Sequence, residues 1–386
     1  MMKVVIAMDS FKGSLSAVQA GNAVAEGIRR VFGKDECEIV VRPLADGGEG
    51  TVEAFSMCSE VESVDVRVHG PLFEEMTSSY AIFESDTAFI EMASASGLTL
   101  VPQEKRDPLV TTTYGTGELI MDAVRRGIRK FVIGIGGSAT NDGGVGMLQA
   151  LGFSFLDERG EEIPFGAAGL EKLCEISDDG VSPELRECSF EVACDVKNPL
   201  CGKNGASRIF GPQKGADPEM TERMDKALGR YAVLTKAFAP SSDPDAAGAG
   251  AAGGLGFAFL SYLGGKLRNG AELVIKLTEL ERYVKDADIV VTGEGRLDSQ
   301  SVMGKAPTTA GSLAKKYGAK VIAFAGCVSD DARKCNAGGI DAYFPILRRP
   351  CTLDDAMDIE NAYTNMRSAS EQVFRLIGLY EKKERI

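Results

Sequence analysis

Short apolar segments alternate with helical segments at both ends of this chain, and this alternation constrains its fold most. Near the N-terminus, the apolar run in "KVVIAMDSF" is followed by a helical repeat and by a second apolar run, "CEIVVRPL". Near the C-terminus, helical stretches separate three more apolar runs, in "ADIVVTGEG", "AKVIAFAGC" and "DAYFPIL". Because parallel strands are joined by crossover segments that are usually helices, we predict an α/β fold with a parallel sheet.

The chain is long enough for more than one hydrophobic core. Its 386 residues suit two domains, each able to bury a substantial interior. The alternation of apolar and helical segments that marks both ends of the chain stops near residue 81 and resumes near residue 284. We therefore predict a discontinuous outer α/β domain, residues 1–80 and 284–386, with a second α/β domain, residues 81–283, inserted into it.

Charge and composition exclude several classes of protein. A net charge of −13 argues against a nucleic-acid partner, since binding to a phosphate backbone needs a basic face. No apolar run approaches the roughly 18 residues that span a bilayer, so we predict no membrane partner. The N-terminal "MMKVVIAMDSF" resembles a core strand rather than a signal peptide, which predicts a cytoplasmic location. With a single histidine, His69, general-base chemistry must fall to a carboxylate, Lys or Cys.

A glycine-rich segment follows a predicted strand in "VIGIGGSATNDGGVGM", residues 132–147. Gly136 and Gly137, with Ser138, permit a turn whose N–H groups converge on an anion. Three good N-cap residues precede the predicted helix, namely Thr140, Asn141 and Asp142. The segment matches neither G-x-x-x-x-G-K-[ST] nor G-x-G-x-x-G, so taken alone it fits a phosphate cradle and an ordinary tight turn equally.

A literal G-x-G-x-x-G match occurs at residues 248–253, "GAGAAG". It does not follow a strand, so the context of a dinucleotide-binding motif is missing. Gly253 and Gly254 open the apolar helix "LGFAFLSYL". They either let a phosphate approach the helix N-terminus or allow close packing of that helix.

Three loops at predicted strand ends carry acidic and basic side chains. The loops are "MDSFKGS" with Asp9, Ser10 and Lys12, "PLADGGEGT" with Asp46 and Glu49, and "TGEGRLDSQS" with Glu294, Arg296 and Asp298. Carboxylates on glycine loops suit Mg²⁺, and the arginine can hold a carboxylate or a phosphate. Each loop alone is also typical of a solvated turn, but all three are predicted at the same edge of one sheet.

Two further loops carry hydroxyl, acidic and amide groups. In "TTTYGTGEL", Thr113 and Thr116 precede or open a helix, where they would clamp a substrate; for Thr116 the alternative is N-capping. In "ACDVKNPLCG", Asp195 and Asn198 follow an apolar strand. Asp195 could orient a hydroxyl nucleophile or a metal, and the alternative is that Asp and Asn before Pro only start a turn.

Seven motifs in this order closely resemble the type I glycerate kinase family over nearly the full chain. They are "KVVIAMDSFKGSLSA", "PLADGGEGT", "TYGTGEL", "GIGGSATNDGG", "DVKNPL", "GAGAAGGLG" and "VVTGEGRLDSQS". The resemblance implies ATP-dependent phosphorylation of glycerate, mostly to 2-phosphoglycerate. It also implies a flavodoxin-like outer domain with a second α/β domain inserted, in agreement with the two predicted breaks.

From the residue types together with this resemblance, we predict roles for these residues in a direct in-line transfer in an interdomain cleft. Mg²⁺ on the ATP phosphates would be held by carboxylates from among Asp46, Glu49, Glu294 and Asp298. The N–H groups of residues 136–141 and of Gly253 and Gly254 would bind phosphate oxygens, and Lys12 and Arg296 would bind the glycerate carboxylate or the transferring phosphoryl group. Asp195 is the first candidate for the base that orients the hydroxyl, and Asp9 is the second.

Other functions fit some of these features. A kinase of another small hydroxy acid would use the same carboxylate and hydroxyl contacts. A non-catalytic sensor of a small anion would explain the glycine loops but not the several carboxylates. A NAD-linked dehydrogenase rests only on "GAGAAG". Glycerate and ATP are the predicted partners, and the sequence leaves monomer and homodimer open.

Overall fold

The computed structural model describes residues 1–45, 47, 50–57, 60–83, 85–302 and 304–384. Its strands are β1 (Met2–Met8), β2 (Cys37–Val41), β3 (Val61–His69), β4 (Glu75–Phe83), β5 (Thr87–Glu91), β6 (Lys130–Gly134), β7 (Ser154–Leu156), β8 (Glu175–Ser177), β9 (Ser189–Ala193), β10 (Lys266–Arg268), β11 (Ile289–Leu297), β12 (Lys320–Val328) and β13 (Ala342–Pro345).

Helices connect most of these strands, as the alternation in sequence predicts. They are α1 (Ala17–Arg29), α2 (Thr51–Ser56), α3 (Ala93–Ser96), α4 (Tyr114–Arg125), α5 (Val145–Ala150), α6 (Ala167–Leu170), α7 (Ala206–Phe210), α8 (Pro218–Phe238), α9 (Leu255–Tyr262), α10 (Gly270–Leu277), α11 (Leu280–Val284), α12 (Ala306–Lys316), α13 (Lys334–Ala337), α14 (Leu353–Met357) and α15 (Ile359–Glu384). Within the described ranges, no helix combines the length and the apolar character that a membrane span requires.

The chain folds into two compact units. The outer unit comprises Met1–Ser59 and Ala271–Ile386, and the inserted unit comprises Glu60–Gly270. Two α/β units, one interrupting the other in sequence, are the predicted fold class. The boundaries lie earlier than the breaks that we predict at residues 81 and 284.

Strand pairing explains why the first boundary lies before residue 81, and side-chain packing explains why the second lies before residue 284. β3 and β4 join the inserted unit because β4 pairs with β5, with Ala81 opposite Phe89. The alternating pattern of β3 and β4 indicates their strand character but not which sheet they enter. At the second boundary, Ala271 and Ile275 of α10 lie in one hydrophobic cluster with Val290 of β11, so this helix belongs to the outer unit.

The outer unit contains a five-stranded parallel sheet in the order β13-β12-β11-β1-β2. Numbered within this unit alone, the order is 2-1-3-4-5, which is the flavodoxin-like order. The order reverses between β1 and β11, and such sheets bind ligands beyond the carboxyl ends of the strands at that point. Asp9 follows β1, and Glu294 lies near the end of β11.

Both faces of the outer sheet are covered, which explains why its strands are continuous apolar runs. Along β1, Val4 and Ile6 lie in the hydrophobic cluster on one face, together with residues of α1 and α15. Val5 and Ala7 lie in the cluster on the other face, with residues of α10 and α12. A strand buried on two sides loses the apolar–polar alternation of a half-exposed strand.

The inserted unit contains a six-stranded mixed sheet in the order β10-β9-β6-β5-β4-β3. Neighbouring strands from β10 to β5 are parallel, and β5, β4 and β3 are antiparallel to one another. Gly134 at the end of β6 is opposite Ala193 at the end of β9. The glycine-rich loop after β6 and the Asp195 loop after β9 therefore leave the same edge of this sheet.

Candidate functional site

In the outer unit, the loop after β1 lies beside the end of β11. The Asp9 N–H donates to the carbonyl of Gly293 at 2.9 Å, and the Ser10 N–H donates to Asp9 Oδ1 at 2.7 Å. A Cβ built on Gly295 would lie 3.4 Å from the Cα of Phe11. Asp9 is buried, whereas Lys12 is exposed. The structure thus brings together two of the three charged loops that the sequence indicates.

The second of these loops holds a buried glutamate. Ser301 donates to Glu294 Oε1 at 2.5 Å, and Lys305 Nζ lies 3.6 Å from Oε2. Burial raises the pKa of Glu294, while the hydrogen bond from Ser301 and the charge of Lys305 act in the opposite direction. Arg296 is exposed, with its Nε 3.4 Å from Asp298 Oδ2. The sequence pattern points to Glu294, Arg296 and Asp298 but not to Ser301 or Lys305.

The donor set of this loop fits Mg²⁺ in kind. Glu294 and Asp298 are close enough that the charge of Asp298 contributes to the raised pKa of Glu294. A magnesium ion on nucleotide phosphates needs only one or two protein carboxylates, the rest being water and phosphate oxygen. No group of three or more His, Cys, Asp or Glu that could hold a metal occurs in the described part of the chain. Asp46 and Glu49 lie outside the described residues.

In the inserted unit, residues 136–138 after β6 form a turn that we call the anion loop. Gly136 and Gly137 are exposed, and Gly137 has a φ of +74°, which favours glycine. The N–H groups of Gly136, Gly137 and Ser138 donate to no acceptor among the described residues. The Gly137 carbonyl accepts from Leu98 N–H at 2.8 Å, which anchors the turn. Successive unused N–H groups at a fixed glycine turn suit an anion.

A lysine that the sequence reasoning missed lies beneath this loop. Lys214 is 1% exposed, and its Nζ donates to Ser138 Oγ at 2.7 Å and to the Thr140 carbonyl at 2.5 Å. Burial lowers the pKa of Lys214 to about 7, and the charge of Asp142 acts in the opposite direction. Nothing in "GPQKGAD" distinguishes this lysine from a surface residue, because both contacts are more than 70 residues away in sequence.

Asp142 joins the segment after the anion loop to the threonine loop, residues 111–113. One oxygen, Oδ2, accepts from the N–H and the hydroxyl of Thr113 at 2.8 Å each and from Gly146 N–H at 3.3 Å, and Oδ1 accepts from Gly144 N–H at 3.0 Å. Burial raises the pKa of Asp142, and these hydrogen bonds lower it. The helix start predicted at residues 140–142 is wrong by two residues: Gly144, with a φ of +76°, is the N-cap of α5.

Thr116 does not cap α4. The helix begins at Tyr114, so Thr116 lies inside its first turn, fully buried, and its hydroxyl is 2.9 Å from that of Ser96. The capping alternative is therefore wrong, because the hydroxyl is used across the core rather than on its own helix end. This contact ties α4 to α3, whose Ser96 carbonyl accepts from Ala139 N–H at 2.9 Å.

We expect Thr116→Val to lower the free energy of unfolding by about 1–2 kcal/mol, because the buried hydroxyl of Ser96 loses its partner. Ser96→Ala should cost a similar amount, and the double variant should cost less than the sum of the two. Urea unfolding followed by circular dichroism would measure all three. Strictly additive costs would contradict a direct bond between the two hydroxyls.

The glycines of "GAGAAG" pack against the segment that follows the anion loop. A Cβ on Gly253 would lie 2.1 Å from the Thr140 carbonyl oxygen, and one on Gly254 would lie 2.8 Å from the Cα of Gly143. The Gly143 N–H also donates to the Gly253 carbonyl at 2.9 Å. Of the two interpretations of these glycines, the geometry supports close backbone packing.

Asn141 is anchored by a further segment, α7. Its side chain is fully buried, and its Nδ2 donates to Ser207 Oγ of α7 at 2.9 Å. The anion loop and the residues that follow it are thus supported by five segments: residues 96–98, the threonine loop, α7, Lys214 and the Gly253 turn. The sequence motifs include two of these five, the threonine loop and the Gly253 turn.

Asp195 follows β9 and is exposed at the edge of the sheet. Its Oδ1 accepts from Asn269 Nδ2 at 2.8 Å and from Gly270 N–H at 2.9 Å. Asn198 instead closes its own loop, since its Nδ2 donates to the Asn204 carbonyl at 2.8 Å and its carbonyl accepts from Gly250 N–H at 2.9 Å. Asp195 is thus fixed in orientation, and Asn198 has a local structural partner.

His69 has the contacts of a structural residue. Its backbone N–H donates to Glu118 Oε2 at 2.6 Å, and its Nδ1 lies 3.0 Å from Glu118 Oε1. The imidazole stacks on Phe73 with 4.2 Å between ring centroids. These contacts leave the carboxylates and lysines as the acid–base groups of the candidate site.

Comparison with known proteins gives a consistent match. The model of the glycerate kinase family matches residues 4–378. The chain is 49% identical to the glycerate 2-kinase of Escherichia coli (strain K12), over 98% of either chain, and 46% identical to the glycerate kinase of Bacillus subtilis (strain 168), over 92% and 93% of the two chains. A crystal structure described as a putative glycerate kinase 2 from Salmonella typhimurium LT2 matches with a TM-score of 0.90 and 46% identity, covering 99% of each chain.

Proposed function

This chain belongs to the glycerate kinase family and is a kinase, and from that premise we propose that it transfers the γ-phosphoryl group of ATP to glycerate, giving 2-phosphoglycerate. The observation that carries the choice of product is the 49% identity, over 98% of the chain, to a protein named glycerate 2-kinase. A kinase that uses ATP would act in the cytoplasm.

Phosphoryl transfer requires the protein mainly to align the reacting groups and to neutralise the phosphate charge, and it needs no histidine or covalent intermediate. The anion loop offers three N–H groups with no acceptor among the described residues, and we assign it to phosphate oxygens of the nucleotide. Gly253 and Gly254 hold the segment behind the anion loop and are assigned to its support rather than to phosphate.

We assign the carboxylate of Asp195 to the hydroxyl of glycerate. It would accept the hydroxyl proton as the oxygen–phosphorus bond forms and the bond from Pγ to the leaving oxygen of ADP breaks. The hydrogen bonds from Asn269 and Gly270 fix one carboxylate oxygen, which supports an orienting role. Lys12 and Arg296, both exposed cations, are assigned to the glycerate carboxylate or to the transferring phosphoryl group.

Glu294 and Asp298 would hold Mg²⁺, which, when bound, supplies charge neutralisation for the phosphates. Ser301 and Lys305 orient the carboxylate of Glu294 for this purpose. Because burial raises the pKa of Glu294, the ionised form that a cation needs is favoured as pH rises, so metal affinity should increase with pH through the titration of this group.

The test is incubation of the purified chain with Mg-ATP and D-glycerate, followed by ³¹P and ¹³C NMR of the product. We expect equimolar ADP and 2-phosphoglycerate. Formation of 3-phosphoglycerate would contradict the proposed regiochemistry, and ADP formation only with a different hydroxy acid in a parallel substrate panel would contradict the substrate. Absence of ADP with every acceptor would contradict the proposed function as a whole.

A further inference from the structure

Lys214 is a buried cation without a carboxylate partner in the described part of the chain. Lysine is almost never fully buried unless it is paired, because removing an ammonium group from water is costly. Its Nζ donates to two uncharged acceptors, Ser138 Oγ and the Thr140 carbonyl, and the charge of Asp142 acts on it without a hydrogen bond among the described residues. The charge of Asp142 offsets this cost only in part, because the pKa of Lys214 is still lowered, and a bound anion would stabilise the ammonium group further.

The turn that carries Lys214 is built to hold it in place. The N–H groups of Lys214 and Ala216 both donate to the Gly211 carbonyl, at 2.9 and 3.1 Å. Gly215 has a φ of +100°, and a Cβ there would lie 2.2 Å from the Arg106 carbonyl oxygen. The position of the ammonium group under the anion loop is therefore fixed by backbone contacts.

We propose that Lys214 is a positioning residue of the anion loop, whose ammonium group fixes Ser138 and Thr140 and supplies the positive charge beneath a bound nucleotide phosphate. This rests on the proposed function. An ammonium group has three N–H donors, and two of them hold the loop. Gly136 and Gly137 are exposed and their N–H groups donate to no acceptor among the described residues, so loop and lysine together offer an anion both hydrogen bonds and charge. A chain with a net charge of −13 needs such a local concentration of positive charge.

The proposal has a pH dependence with a definite sign. Burial lowers the pKa of Lys214 to about 7, so the charge is lost as pH rises through this value in the free enzyme. Nucleotide affinity should therefore fall above about pH 7. Charged groups on the segments packed against Lys214 include Asp142, which acts to raise its pKa, and Arg106, whose Nε donates to the Val101 carbonyl at 3.5 Å and which is followed by Asp107.

The experiment uses the full chain with Lys214→Met and Lys214→Gln. The matched control is Lys226→Met on α8, where the ammonium group is exposed and pairs with Glu222 at 2.7 Å. We expect both Lys214 variants to raise KM for ATP and Kd for ADP, the latter by titration calorimetry, at least about tenfold. KM for glycerate should change less than about twofold, and the control should match the wild type.

The pH profile separates positioning from a merely structural role. In the wild type, Kd for ADP should increase from pH 6 to 9. The terminal phosphate of ADP also titrates in this range. The readout is therefore the difference between the pH profiles of the wild type and of Lys214→Gln. If Lys214→Met does not fold, Lys214→Gln and the wild-type profile decide the matter.

Unchanged Kd for ADP in Lys214→Gln, identical profiles, or a rise in KM confined to glycerate would overturn the proposal. So would failure of the wild type to bind ADP. A wild type that binds ADP with the expected profile but makes no phosphoglycerate would leave the Lys214 assignment in place and contradict only the proposed function.

Discussion

Asp195→Asn is expected to lower kcat by about 10²–10⁴-fold while leaving the affinity for ATP within about twofold of the wild type. This is the range in which positioned general bases contribute to catalysis. The amide oxygen of asparagine can accept the same hydrogen bonds from Asn269 and Gly270 as Asp195 Oδ1 does. The substitution therefore removes basicity and charge but keeps the local geometry. Steady-state kinetics with both substrates varied, together with ADP calorimetry, would measure the two parameters separately.

The matched control for this variant is Asp157→Asn in the same unit. Asp157 is also a surface aspartate whose Oδ1 accepts two hydrogen bonds, from Arg159 N–H at 2.8 Å and from Glu161 N–H at 3.1 Å. It should leave kcat unchanged. A kcat for Asp195→Asn within about threefold of the wild type would contradict the base assignment and make Asp9→Asn the next variant. Loss of ADP binding would instead place Asp195 on the nucleotide or its metal.

Periodicity predicts the outer unit well because its strands are buried on both faces and alternate with helices. Val4, Val5 and Ile6 form a continuous apolar run typical of a buried strand, and ligands bind to the loops that follow such strands. The predicted closeness of Asp9 and Glu294 follows from the parallel pairing of β1 and β11. Local patterns suffice for this part of the site because the sheet topology places the loops.

The supports of the anion loop depend on contacts that no local pattern encodes. Lys214 reaches Ser138 across 76 residues of sequence, and Asn141 reaches Ser207 across 66. The start of α5 differs from the prediction for another reason. The Asp142 carboxylate accepts hydrogen bonds from Thr113 of another segment as well as from Gly144 and Gly146. A good capping residue therefore lies two positions before the actual N-cap. The domain boundary near β3 likewise depends on which sheet a hairpin joins.

Gly253→Ala is expected to lower the free energy of unfolding by more than about 4 kcal/mol. The φ of Gly253 is +68°, and a left-handed conformation costs a residue with a Cβ roughly 1–2 kcal/mol. In addition, the new Cβ would lie 2.1 Å from the Thr140 carbonyl oxygen and 2.6 Å from the Cα of Asn141. Both atoms are backbone and buried, so no side chain can rotate away, and the segment behind the anion loop must move. Weaker ADP binding should accompany the loss of stability.

Gly229→Ala provides the contrast, because a Cβ at Gly229 within α8 would have no heavy atom within 4 Å. Glycine is a poor helix former, so this variant should gain about 0.5–1 kcal/mol. Scanning calorimetry with and without ADP measures both variants. The result that would contradict close packing is a Gly253→Ala protein with wild-type stability that no longer binds ADP, because that combination is expected only if the glycine keeps space for a phosphate group.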